Sequence, residues 1–156
     1  MEKDLTHSEI WARIIDVIDH WVEQRGMLLT QYADLANIKT FSAENALHGA
    51  AVQGFCQSMV DYLSLIHFEV FEQVSQNQIF PRAQYQQAIM ELMRGIQIST
   101  DALLDFNDKY LALDDLDTLT EDLSALGEEM AQRFELEDQV IALLQDSSKE
   151  EGQLMV

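Results

Sequence analysis

The sequence predicts an all-α protein, an antiparallel up-and-down four-helix bundle with long helices. One proline and six glycines among 156 residues leave few helix breakers. Apolar residues recur at helical spacing in four long segments. The connections between these segments are short, as they are in antiparallel bundles. A chain of this length forms a single domain with a sizeable core.

The first two helices are predicted from their starting signals and their apolar stripes. Thr6, with Glu9 three residues later, forms a capping-box pattern at the start of a helix over about 6–37. Ser42 is the expected N-cap of a second helix, which runs to about Ser75. Both segments carry apolar residues every three or four positions, so each is expected to bury one face.

The last two helices complete the predicted domain. Pro81 suits the first turn of the third helix. Thr118 and Glu121 form a second capping box, which opens the fourth helix. We expect a single helical-bundle domain over 1–146. Residues 147–156 lack periodicity and are predicted to form a disordered C-terminal tail.

The charge and composition restrict where the protein acts and what it binds. Nine Lys and Arg stand against 28 Asp and Glu, a net charge of −19. Such a charge repels nucleic acid and acidic membranes and attracts basic partners. The N-terminus is too polar for a signal peptide, and no apolar run approaches the roughly 20 residues that span a bilayer. Cys56 is the single cysteine, which is consistent with a reducing cytoplasm. We therefore expect a soluble, cytoplasmic protein without direct contacts to nucleic acid or membrane.

Residues 55–74 form a helix in which two large apolar side chains fall on the polar face. At about 100° per residue, most apolar positions of this helix gather on one side, the core face. Leu65 and Phe68 instead lie opposite, among acidic residues. An apolar pair framed by carboxylates is typical of a partner-binding surface, although coverage by another segment of the chain would also explain it. The candidate partner-binding residues, called the outer stripe below, are Asp61, Ser64, Leu65, Phe68 and Glu72.

Four polar residues fall inside otherwise apolar helix faces, namely Arg25, His67, Arg133 and Glu137. Buried charges destabilise a protein by several kcal/mol unless they are paired. We therefore expect a buried polar network that joins some of these residues, with Arg133 and Glu137 one helical turn apart. A structural role is favoured because no evident nucleophile accompanies them. Binding of a small polar ligand in the bundle interior is the alternative interpretation.

The sequence predicts no catalytic residue, no metal site and no cofactor. Carboxylate-bridged di-metal bundles need a Glu-x-x-His motif on two helices, and none of the four histidines has that spacing. Phosphate-binding loops, nucleophile elbows and C-x-x-C pairs do not occur either. An interaction protein is therefore favoured over an enzyme.

Three sequence blocks point to a known family. They are DHWVEQRGMLLTQYADLANIK, FCQSMVDYLSLIHFEVFEQV and RFELEDQVIALLQD, and together they span about a third of the chain. In order and spacing they resemble the Rsd/AlgQ family of bacterial regulators. The second block is the most specific, since it is close to the family's Phe-Cys-Gln-x-x-Val-Asp-Tyr-x-Ser-x-x-His-Phe core.

The resemblance implies a function as an anti-sigma factor. Family members bind the C-terminal domain (region 4) of the primary sigma factor, which blocks its contacts with the −35 promoter element and core RNA polymerase. The use of alternative sigma factors is favoured as a result, and a monomer in a 1:1 complex is expected. Asp61 matches the family's aspartate associated with sigma binding, whereas Leu65 and Ile66 stand where family members carry small residues. Two alternatives to an anti-sigma factor are a general transcriptional adaptor and a bundle that senses a small polar ligand or a metal.

Overall fold

The computed structural model describes residues 6–76, 80–112 and 115–154, and all regular structure in these ranges is helical. The all-α prediction is confirmed. In this part of the chain, no helix is long and apolar enough to cross a membrane. The elements are α1 (His7–Ala36), α2 (Ala46–Ile66), a π-helical turn (His67–Phe71), α3 (Glu72–Gln76), α4 (Ala83–Tyr110) and α5 (Leu119–Leu154).

The helices close into a ring of four. α2, the π turn and α3 follow one another without a break and act as one long helix. α1 packs against this helix and against α5, and α4 also packs against both. His7 at the start of α1 lies 3.5 Å from Glu151 near the end of α5, whereas the Tyr32 hydroxyl near the end of α1 donates to the Leu123 carbonyl at 2.8 Å. α1 and α5 are therefore antiparallel, as expected for an up-and-down bundle.

The core is built from the apolar stripes that the sequence predicts. Each helix contributes apolar residues three or four positions apart, because that spacing returns to the same face. Fully burying one large apolar side chain contributes about 1.5–3 kcal/mol. Phe55, which is completely buried and lies edge-on to Phe106 at 6.1 Å between ring centroids, joins the second long helix to α4. Truncating such a ring to alanine costs about 3–5 kcal/mol.

The first two helices begin with different kinds of N-cap. Thr6 caps α1 as predicted, and its hydroxyl accepts a hydrogen bond from the Glu9 backbone N–H at 3.2 Å. α2 begins at Ala46 with Asn45 as its N-cap, so the predicted start at Ser42 is wrong. The Ser42 hydroxyl instead accepts from the backbone N–H two residues later at 3.3 Å. Serine side chains stabilise such turns in competition with helix caps.

The last two helices begin near the predicted residues, but the predicted place of Pro81 in the first turn of its helix is wrong. α4 begins at Ala83, so Pro81 precedes the helix instead of lying in its first turn. The residue between them is extended, with φ −133° and ψ 134°. α5 begins at Leu119, directly after the predicted cap Thr118, whose carbonyl accepts from the Asp122 backbone N–H at 3.0 Å.

The end of α5 corrects the predicted C-terminal tail. The helix does not stop near residue 146 but continues to Leu154. Ser147 is fully buried, and the Glu150 carboxylate accepts from the Tyr85 hydroxyl at 2.8 Å and pairs with Arg82 at 3.1 Å. These contacts reach across to the start of α4. Because they come from a distant part of the chain, local periodicity does not reveal them.

A single π turn, which the sequence pattern does not predict, interrupts the second long helix. The Glu72 backbone N–H bonds to the His67 carbonyl, five residues back instead of four. Each residue of such a turn rotates about the helix axis by less than the 100° of an α-helix. The turn thereby rotates Phe71 toward the core, where it is 8% exposed, and Val74 beyond it stays completely buried. Single π turns inside α-helices occur frequently at functional sites.

Candidate functional site

The outer stripe lies on the solvent side of the second long helix. Phe68 is 57% exposed, and Asp61 and Ser64 are exposed beside it. Leu65 and Glu72 are half-buried, so Phe68 presents most of the apolar surface of the stripe. The Asp61 carboxylate accepts a hydrogen bond from the Gln57 side chain at 2.9 Å. Both charge and apolar area are therefore open to a partner at this surface.

A groove of about 230 Å³, called the Phe68 groove below, opens between the second long helix and α4. Its apolar lips are Phe68 on one side and Leu104, which is 38% exposed, on the other. Side chains from three of the four long helices meet there. The groove is lined by Val60, Leu63, Ser64, His67, Phe68, Phe71, Gln97, Thr100, Leu104 and Arg133.

His67 belongs to this groove and not to the buried polar network, which corrects the prediction. Its side chain is exposed, and its ring packs edge-on against Phe68 with 4.8 Å between centroids. Helical spacing placed His67 inside the apolar arc, but a position in the arc is buried only where a neighbouring helix covers it. Gln97 and Thr100 of α4 stand across the groove from it and leave it open to solvent.

Glu137 is the centre of the buried polar network, and its carboxylate is completely buried. Arg133 donates from Nε to Glu137 Oε2 at 2.7 Å. The other oxygen accepts from Trp21 Nε1 at 3.2 Å and from the Tyr62 hydroxyl, and Nη1 of Arg25 lies 3.5 Å away from it. Burial and the Glu137 carboxylate raise the pKa of Tyr62, so its hydroxyl stays protonated and acts as a donor.

Arg25 connects this network to the surface between α1 and α5. Its Nη2 donates to the exposed Asp138 carboxylate at 2.7 Å, and its guanidinium lies 5.3 Å from the centre of the Phe134 ring. Burial acts to lower the pKa of Arg25, but the hydrogen bond to Asp138, followed by smaller electrostatic contributions from Tyr62, Asp138 and Glu137, outweighs it, and the pKa is raised. Arg25 is thus charged, and opposite charges surround it.

Arg133 connects the same network to α4 and to the Phe68 groove. Its Nη1 donates to the Ile96 carbonyl at 3.2 Å, to the Ser99 hydroxyl at 3.0 Å and to the Thr100 hydroxyl at 2.7 Å. Arg133 is only 1% exposed, so these bonds replace the water that its charge has lost. Both Arg133 and Thr100 line the groove, which places the network directly behind it.

Sequence reasoning missed Trp21, Tyr62 and Asp138 as members of the network. Trp21 and Tyr62 occupy apolar stripe positions of their helices, and both rings are buried in the core. Buried Trp N–H and Tyr O–H groups nearly always need a hydrogen-bond partner, and that rule was the available signal. Among the described residues, no three His, Cys, Asp or Glu side chains come together so that they could hold a metal ion.

The fold and this surface define an acidic all-α bundle, and comparison with known proteins gives its family. Residues 1–145 match the family described as "Regulator of RNA polymerase sigma(70) subunit, Rsd/AlgQ". The chain belongs to this family.

Three similar proteins each bear the name "Regulator of sigma D". A "Regulator of sigma D" from Pectobacterium carotovorum subsp. carotovorum (strain PC1) is 33% identical over 136 residues, which are 84% of this chain and 89% of the relative. A second, from Enterobacter sp. (strain 638), is 34% identical over 137 residues, 85% of this chain and 82% of the relative. A third, from Yersinia enterocolitica serotype O:8 / biotype 1B, is 30% identical over 131 residues, 81% of this chain and 78% of the relative.

Proposed function

We propose that this protein is an anti-sigma factor that binds the C-terminal domain (region 4) of the primary sigma factor through the outer stripe. Bound there, it keeps that domain from the −35 promoter element and from core RNA polymerase, which favours alternative sigma factors. The observation that carries the proposal is the family match over residues 1–145. The exposed Phe68 beside Asp61 provides a surface with the appropriate chemistry.

The charge of the protein supports competition with DNA as the mechanism. A domain that reads promoter DNA presents basic side chains to phosphates, and those side chains are attracted to a protein with a net charge of −19. Asp61 offers a carboxylate in place of a phosphate. Phe68 adds apolar area, which contributes more to affinity than exposed charges do, whereas the charges fix the register of the partner.

Titration of the protein with the isolated sigma C-terminal domain tests the proposal. Isothermal calorimetry at low salt should give a 1:1 complex that weakens as salt is added, because exposed charges are screened. Absence of binding at low salt would refute the proposed function.

Two variants locate the surface, each with a matched control. Phe68→Ala should weaken binding by roughly tenfold or more, whereas Leu47→Ala, at an 80% exposed position near the start of α2, should not. Asp61→Ala should lower the affinity and flatten its salt dependence, whereas Glu135→Ala on the exposed face of α5 should change it little. Unchanged circular dichroism establishes that each variant is folded. If Phe68→Ala and Asp61→Ala bind normally while the wild type binds, the outer stripe is the wrong surface.

A further inference from the structure

We propose that the Phe68 groove receives an apolar side chain from a basic amphipathic helix of the sigma C-terminal domain, so that α4 forms the second wall of the binding surface. This inference rests on the proposed function and extends it. It assigns a role in partner binding to Leu104, Gln97 and Thr100, which lie on a helix outside the outer stripe.

The size and lining of the groove fit one large apolar side chain. Its volume of about 230 Å³ is below the range of about 300–1,000 Å³ that small-molecule sites usually have. Val60, Leu63 and Phe71 give it an apolar interior, and Phe68 and Leu104 stand at its rim. A side chain inserted between these two would bury both of them, which a partner lying only on the outer stripe would not do.

The charges around the groove select a basic helix as its occupant. Leu104 has Asp101 three residues before it and Asp108 four residues after it, so all three share one side of α4, and both carboxylates are exposed. Across the groove, Asp61 accompanies Phe68 in the same way. A helix with apolar residues on one face and basic residues beside them would meet apolar surface in the centre and carboxylates on both sides. Recognition of this kind, a helix in a groove, is a recurring mode of protein binding.

Hydrogen bonds hold the floor of the groove in place in the free protein. Thr100 accepts a hydrogen bond from Arg133 at 2.7 Å, and Arg133 is held in turn by Glu137 at 2.7 Å. The charge of Arg133 is therefore balanced inside the protein and does not repel a basic partner. A preformed site loses less conformational entropy on binding, which favours affinity.

A pair of variants on α4 tests the groove. Leu104→Ser removes one apolar lip, whereas Ile98→Ser removes a 72% exposed apolar residue of the same helix that does not line the groove. Calorimetry with the isolated sigma C-terminal domain should show a roughly tenfold higher Kd for Leu104→Ser, the size expected for a central interface residue. Ile98→Ser should stay within about twofold of the wild type, as residues outside the contact do.

A double-mutant cycle tests whether Phe68 and Leu104 contact the same side chain of the partner. If they do, Phe68→Ala and Leu104→Ser together should weaken binding by clearly less than the product of their separate effects. Hydrogen exchange on the wild-type complex gives a measurement that needs no variant. Amides around residues 97–104 should gain protection when the sigma domain binds.

The outcomes separate this inference from the proposed function. If the wild type does not bind the sigma domain, both are wrong. If the wild type binds and Phe68→Ala weakens binding, but Leu104→Ser behaves like Ile98→Ser, the groove is not occupied and only this inference is overturned. Unchanged hydrogen exchange in α4 on binding would overturn it as well.

Discussion

Replacing Glu137 by glutamine should destabilise the bundle strongly, although the two side chains have nearly the same shape. The change removes the carboxylate that pairs with Arg133 at 2.7 Å and lies 3.5 Å from Arg25. Arg25 keeps its bond to Asp138 at the surface. Arg133 is only 1% exposed, so its positive charge is left without a counter-ion and without water.

The expected loss follows from the burial of both partners. Removing one member of a buried ion pair typically costs about 3–5 kcal/mol. The amide oxygen of glutamine can still accept from Trp21 and Tyr62, so the lower part of this range applies. A domain of this kind has a free energy of unfolding of about 5–15 kcal/mol, and the variant should therefore remain folded at 25 °C. Its Tm should fall by roughly 6–12 °C, at about 2–4 °C for each kcal/mol in a chain of this length.

Urea unfolding followed by circular dichroism measures the loss directly, provided that the m-value stays unchanged. Glu135→Gln, at an exposed position on the same helix, is the control and should change stability by less than about 0.5 kcal/mol. Adding Arg133→Met to the Glu137→Gln variant removes the unpaired charge and should restore part of the stability. A loss below about 1 kcal/mol for Glu137→Gln would refute the assignment of a buried, charge-balanced pair.

Four further outcomes are expected from other parts of the bundle. Gly127→Ala should lower the free energy of unfolding by about 1–3 kcal/mol, because an added methyl group would collide with the Tyr32 hydroxyl and the ring carbon that bears it. Gly26→Ala should raise the free energy of unfolding by about 0.4–1 kcal/mol, because open space surrounds the added methyl group. Urea titrations measure the free energy of unfolding of both glycine variants. Burial raises the pKa of the Cys56 thiol to about 11 from 9.0, so a thiol reagent at pH 8 should react slowly with the native protein and rapidly in urea. Truncation after residue 146 should lower the Tm in a thermal scan, since it removes the buried Ser147 and the contacts of the following turns; an unchanged Tm would show that this end of α5 adds no stability.

The features that were predictable from the sequence depend on residues close together in the chain. The apolar stripe containing Phe55, Met59 and Ile66 is buried as predicted, because helical spacing alone places these residues on one face. The pairing of Arg133 with Glu137 was predictable for the same reason, since the two residues are one turn apart on one helix. The exposure of Phe68 likewise follows from its position opposite the apolar stripe.

The features that could not be predicted depend on which helices become neighbours and on how those helices are positioned along the bundle axis relative to one another. Trp21 and Tyr62 bond to Glu137 only because α1, α2 and α5 align at that level, and no local pattern encodes this alignment. Leu104 was not foreseen beside Phe68 for the same reason. His67 lies inside an apolar face by spacing and is nevertheless exposed, because the packing of α4 determines which positions of that face are covered.

The π turn has a consequence for how this protein can diverge from its relatives. An extra residue inserted into a regular helix rotates everything that follows by about 100° and would turn the next core residues outward. A π turn accommodates such an extra residue within one turn, and here Val70 and Val74 on either side of its end remain completely buried. The helix can therefore gain or lose one residue next to Phe68 while the rest of the bundle keeps its register. Aligned sequences of relatives that lack the turn should show a one-residue gap between positions 67 and 71, and length changes should be tolerated there better than elsewhere in the helix.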